Sequence, residues 1–273
     1  MMRRAVWLVL GMLAAVITIS LLAAWIAPND PLATDLTSRN QSPSQAHWLG
    51  TDSLGRDVAS RLVFGGRGAL LISGAATLTS MLVGTVLGSL AGWFGTVVDT
   101  AVQMLLSIFQ GLPGLSISIA VVGVLGASKL SIFWAMVLTG WSGVARVARS
   151  QVRELREEQF VIAARVYRPG TCYLLVQHLL PHMLATLVVL AMHRMGRMIL
   201  AIAALSFIGV GLQPPTPDWG VMIQDARQYT SQQPWALLAP SLMLFVTAFS
   251  LARLGELLRD HWDVSTDQSG TLR

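Results

Sequence analysis

The sequence predicts an all-α polytopic membrane protein with six transmembrane helices, and three observations carry that prediction. Of its 273 residues 53% are hydrophobic and only 12% charged, about half the ~25% charge of an average soluble domain. Mean hydropathy is +0.60. The apolar residues are pooled into runs long enough to cross a bilayer, where lipid offers the backbone no hydrogen-bond partner and helices supply one internally.

The first run, residues 5–27, holds 23 uncharged residues behind Arg3 and Arg4, enough for roughly 30 Å of hydrocarbon. A signal peptide has the same flanks but a shorter apolar core, and Trp25 and Ile26 spoil a small-residue cleavage site, so the run reads as an uncleaved anchor. Pro28-Asn29-Asp30-Pro31 stops the helix. A polar stretch to about residue 67 follows. The second run is residues 68–98, bounded by Arg67 and Asp99, and the third is residues 100–128, interrupted by Gly111-Leu112-Pro113-Gly114. Residues 130–145 form a shorter fourth, with room to extend through the basic end at Arg146 and Arg149. A fifth, from about Met183 to Gly209, is the one with ionisable groups inside it: His193, Arg194 and Arg197. The sixth lies near residues 235–254.

Between the fourth and fifth spans the chain turns charged from Arg146 to His182. Arg146, Arg149, Arg153 and Arg156 repeat on one helical face, Pro169-Gly170 breaks it, and the expectation is helix, break, helix, the second helix covering Cys172 to Leu180. A connection this long in a compact bundle should be structured. The alternatives are a surface helix on lipid headgroups and a docking element for a protein partner. Glu154, Glu157 and Glu158 argue against simple attraction to anionic lipid and favour the partner.

Six spans put both termini on one side. That side, with segment 146–182, holds 11 of the 19 basic residues against six on the other, so the positive-inside rule places both termini in the cytoplasm. The chain thus divides into an N-terminal end and first span (1–27), an external segment (28–67) and a membrane-spanning core (68–273) containing the cytoplasmic segment 146–182.

Several chemistries are excluded. One cysteine, Cys172, allows no internal disulfide and no thiolate-rich metal site. The single lysine, Lys129, is followed by Leu130, so no P-loop exists to bind ATP phosphates. His47, Asp52 and Asp57 sit in a turn-forming context without a second histidine on that side, and the structural reading is favoured over a metal site. An ion-coupled transporter working alone would need buried carboxylates, yet Asp99 and Glu256 lie only at span ends. An intramembrane hydrolase fails because Ser206 and His193 are about 20 Å apart along one helix.

Two further features invite a role. Gly84, Gly88 and Gly92 recur every four residues and leave one helix face bare for close packing, against a helix of this chain or of another subunit. His193, Arg194 and Arg197 share one side of the fifth span and must face protein or a water-filled path, either paired with a partner's carboxylates or helix carbonyls, or lining a substrate pathway for an anionic cargo.

HWLGTDSLGRDVASRLVFGGR (47–67), AARVYRPGTCYLLVQHLLP (163–181), LSFIGVGL (205–212) and DWGVMIQDARQY (218–229), in this order over nearly the whole chain, resemble the permease subunit of ATP-binding-cassette importers of the dipeptide, oligopeptide and nickel group. The match is closest to the second of their two permeases and leans toward the nickel members. The resemblance implies a type I importer fold in the bacterial inner membrane, a homologous second permease, two ATP-binding subunits and a periplasmic or lipid-anchored substrate-binding protein. It implies no cofactor on this chain, with ATP and Mg on the partners, and no nucleic acid.

It also implies that residues 160–170, Phe160 and Arg165 among them, dock on an ATPase through a pattern of Glu-Ala-Ala, three residues, Gly, and later Leu-Pro. Ala163, Ala164, Leu180 and Pro181 match that pattern. Ile162 stands at the Glu position and Arg168 at the Gly position, and the expectation is that Gly170, tolerant of positive φ, moves the turn.

Overall fold

The computed structural model describes residues 2–167 and 170–270, with side chains described over 6–262 apart from the gap at 168 and 169. It is built of helices and turns. A lone antiparallel bridge between Thr51 and Asp57 is the one β contact among the described residues.

Helix α1 (Met2–Leu21) continues after a loosened turn at Leu22 as the short α2 (Ala23–Ile26), which ends where Ala27 turns extended before Pro28. Helix α3 (Val58–Phe94) begins ten residues before the charge-free run, because Asp57 caps it by accepting the Ser60 amide at 2.7 Å. Its 37 residues span about 55 Å. Gly95, at φ +63°, ends it and turns the chain into α4 (Thr96–Gly111). Leu112, extended ahead of Pro113, separates α4 from α5 (Gly114–Leu125), and the two are bent by 89°. A Ser128–Ser131 capping box starts α6 (Lys129–Leu155), which runs well past Arg146 as one continuous helix.

The charged segment departs from the expected helix, break, helix. Its first helix is the end of α6, and a separate eight-residue α7 (Gln159–Val166) follows. The second is not separate. Helix α8 (Thr171–Tyr173), a π turn (Leu174–Leu179) and α9 (Leu180–Phe207) form one helical run of 37 residues. Pro181 falls directly after the π turn, whose altered hydrogen-bond register accompanies it, and the run continues through it. Helix α10 (Trp219–Ala226), capped by Asp218, and α11 (Pro234–Gly270) complete the chain.

Four described helical runs are long and apolar enough to cross a membrane: α3, α6, the α8–α9 run and α11. The bent pair α4–α5 qualifies only jointly, and the apolar part of α1, Val6–Leu21, falls short of the length.

The bundle is built on α3 against α6. A Cβ placed on Gly84, Gly88 or Gly92 would lie 2.5, 2.3 and 2.7 Å from Val144 Cβ, the Ala145 carbonyl and the Arg149 carbonyl respectively. The bare face expected from sequence therefore receives the backbone of α6 in this same chain. At the α3 C-terminus, Val144, Ala148 and Val152 of α6 join Val161, Leu179 and Met183 in a core that seats α7 and the start of α9. At the other end Leu13, Val58, Ile199, Trp219 and Leu244 join α1, α3, α9, α10 and α11.

Candidate functional site

Three groups of residues stand out, one at each end of α3 and one midway along α9. At the α3 C-terminal end, α7 is seated by Val161, which is fully buried. Phe160 stacks on His182, with centroids 4.6 Å apart and planes at 21°. Arg165 places its guanidinium over the Trp93 ring, and Arg156 donates to the Gly92 carbonyl at 3.1 Å. The opposite face of α7 is uncovered: Ile162 is half exposed, and Ala163, Val166 and Tyr167 are exposed. Ala164 is partly buried, and at the α9 start Leu180 is partly buried and Pro181 exposed. An apolar helix face left open beside charged residues suits a protein partner.

Arg168 lies outside the described residues. Gly170 is described, and the shifted-turn expectation fails on it: its φ is −62° and ψ 149°, an extended conformation open to any residue, and nothing approaches a Cβ there within 4 Å. The reason is that Gly170 precedes a helix start instead of closing a helix end, so no left-handed residue is needed.

Midway along α9, Gly196 packs against α11 while His193, Arg194 and Arg197 lie around it. His193 Nδ1 is 2.9 Å from the Val189 carbonyl, one turn back. Arg194 is partly buried, its Nη1 against bare Gly143 of α6, and its buried Nε has no partner. Arg197 is exposed. The three share a side, yet they open on two spaces: His193 and Arg197 on a recess of about 540 Å³ bordered by α11, Arg194 and Arg197 on one of about 180 Å³ bordered by α6.

At the α3 N-terminal end the motif at 47–57 folds as a knot of turns. Gly50 and Gly55 both have positive φ, and a Cβ on either would strike the Gln41 or Asp35 carbonyl. Asp52 binds Arg56 at 2.7 Å and Arg61 at 3.5 Å, and Arg56 reaches across to Asp225 of α10 at 3.2 Å. His47 Nδ1 lies 2.9 Å from Asp57, whose other oxygen caps α3. The side chains expected to be structural thus tie residues 47–57 to α3 and α10. Burial raises the Asp225 pKa against the pull of Arg56, and burial also raises that of Asp218. Burial first, then the Asp52 and Asp225 carboxylates, push the Tyr229 phenol up to about 12.

Sequence reasoning passed over Trp93, which reads as an ordinary interfacial aromatic, and the ion pair of Asp99 on α4 with Arg149 on α6. A lone carboxylate at a span end opposite a basic helix face was the available signal for that pair. The Arg56–Asp225 pair joins residues 169 apart and carries no local signal.

A model of the family described as "Binding-protein-dependent transport system inner membrane component" matches residues 84–263. The chain is 41% identical over 261 residues to the nickel transport system permease protein NikC of Escherichia coli, covering 96% of this chain and 94% of that one. It is 36% identical to the dipeptide transport system permease protein DppC of Alkalihalophilus pseudofirmus, over 90% of this chain and 81% of the relative. It is 35% identical to the glutathione transport system permease protein GsiD of Pectobacterium atrosepticum, over 84% and 76%.

Proposed function

Because this chain belongs to the inner membrane components of binding-protein-dependent transport systems, the permease subunits of ATP-binding-cassette importers, we propose that it forms half of a translocation pore for nickel held as a chelate, with di- or oligopeptides as the second cargo class. A permease of this family transports and does not catalyse. The observation that carries the cargo reading is the identity to a nickel permease over almost the full length of both chains. The dipeptide and glutathione permeases, similar over slightly less of their length, keep peptides as the second reading. An ion-coupled transporter working alone has no counterpart among these relatives.

In this reading the chain crosses the bacterial inner membrane six times, through α1–α2, α3, α4–α5, α6, the α8–α9 run and α11, with both termini cytoplasmic. The domain limits 1–27, 28–67 and 68–273 follow from that topology. A homologous permease completes the pore. Two ATP-binding subunits carry ATP and Mg, and an external substrate-binding protein, periplasmic or lipid-anchored, delivers cargo.

Segment 146–182 faces the cytoplasm and α7 is the ATPase-docking element, through Phe160, Ile162, Ala163, Ala164, Arg165, Arg168 and Gly170, with Leu180 and Pro181 alongside. The uncovered apolar face of α7 over a fully buried Val161 supports this assignment. Movement of a docked α7 opens the pore to one side or the other, and His193, Arg194 and Arg197 line the path.

Cysteine crosslinking tests the docking. In a chain lacking Cys172, Ala164→Cys should crosslink to a cysteine on the ATPase surface in the assembled importer, and the yield should change with ATP. Absence of a crosslink from every position between 160 and 170 would overturn the assignment.

A further inference from the structure

Arg197 is ten residues before the end of α9 at Phe207, which puts it about 15 Å along the helix and near the middle of roughly 30 Å of hydrocarbon. A guanidinium at that depth faces protein or water, never lipid tails alone. Among the described residues neither Arg194 nor Arg197 forms an ion pair, and the buried Nε of Arg194 is unsatisfied. The two charges stand three residues apart on one helix and repel each other. Between them and α6 lies a recess of about 180 Å³ that also touches Thr139 and Gly140. Gly143 leaves room on α6 for the Arg194 guanidinium, since a Cβ there would lie 2.8 Å from Arg194 Nη1.

We propose that Arg194 and Arg197 form a carboxylate-binding station halfway along the translocation path, which takes cargo bearing at least one carboxylate group. This rests on the reading of α9 as pore-lining and gives that path a chemical preference. Guanidinium donors match carboxylate oxygens in geometry, and one carboxylate shared by both groups relieves their mutual repulsion. A bare divalent cation would meet two positive charges in a poorly hydrated passage, whereas the same metal wrapped by a carboxylate-bearing chelator would be drawn in. The neighbouring 540 Å³ recess, lined mainly by apolar side chains such as Val189 and Leu190, gives room for the remainder of such a cargo.

Charged thiol reagents test this without knowledge of the cargo. In a Cys172→Ser chain carrying Thr139→Cys, within the assembled importer in membranes, labelling is timed with an anionic and a cationic methanethiosulfonate. The ratio of anionic to cationic rate should exceed that of a free thiol in solution on the order of ten-fold. It should return to the solution value in Arg194→Gln with Arg197→Gln and persist in Arg197→Lys. Co-purification of the ATPase subunits monitors assembly; if the double variant fails to assemble, Arg197→Gln alone is read, with a partial fall expected. A ratio equal to that of the free thiol before any arginine is changed overturns the station and leaves the path intact. No labelling by either reagent means that a partner seals the site, and overturns both.

Discussion

The guanidinium of Arg165 lies 4.5 Å from the centroid of the Trp93 ring, which fastens α7 to the last turn of α3. An interaction of this kind is worth about 0.5–1 kcal/mol where solvent reaches it. That is too little to hold the fold, which Val161 secures by burial, but enough to bias where an eight-residue helix rests.

The first prediction follows from that pairing. Trp93→Leu keeps an apolar side chain and removes the ring, so the importer should assemble and hydrolyse ATP while moving several-fold less cargo per ATP. Trp93→Phe should retain part of the coupling. Proteoliposomes loaded with ATP report both quantities together. An unchanged transport-to-hydrolysis ratio in Trp93→Leu would count against α7 acting on α3 through this contact.

A second prediction sets two identical chemical changes against each other. Gly88→Ala places a Cβ 2.3 Å from the Ala145 carbonyl, so α3 and α6 must part, at a cost of about 1–3 kcal/mol for overpacking. Gly123→Ala, on a face of α5 with nothing within 4 Å of the new Cβ, should gain up to ~1 kcal/mol of helix propensity. Thermal unfolding of the purified chain in detergent should show a lower midpoint for the first and an equal or higher one for the second. Ala148→Gly should rescue Gly88→Ala little, because the obstructing carbonyl remains.

Tyr229 supplies a pH prediction. Its phenol ionises near 12 in the folded chain against 10.0 when unperturbed, so the folded state holds the proton more tightly than the unfolded one. The stability it contributes is complete below pH 10 and is lost as pH rises from 10 towards 12. Phenolate absorbance near 295 nm, taken as the difference between the parent and Tyr229→Phe, should show a single ionisation close to 12. A difference curve centred at 10 would mean that the Asp52–Arg56–Asp225 knot does not enclose this side chain.

Length and hydropathy made the helical architecture legible, because charge-free runs above about 20 residues have few alternatives. Ends were less legible. Helix α6 continues past Arg146, with Arg149 paired to Asp99, a partner 50 residues away, and α3 starts early, capped by Asp57, with Arg61 buried against Asp52 and donating to the Pro31 and Pro215 carbonyls. The glycine stripe was readable as a packing face, yet its partner in α6 is a tertiary fact that no local pattern encodes. The expected positive φ at Gly170 failed because the residue opens the long helical run that starts at Thr171.

The 89° bend between α4 and α5 decides how this part of the chain can cross a bilayer. With 16 and 12 residues, the two helices are about 24 and 18 Å long, each short of the roughly 30 Å of hydrocarbon. Neither can therefore cross the hydrocarbon alone, although the two together are long and apolar enough to do so. In the six-span reading this crossing is therefore a broken one, and its second helix is tied to the rest of the bundle chiefly through α6, where Val122 packs beside Ile132 and Met136.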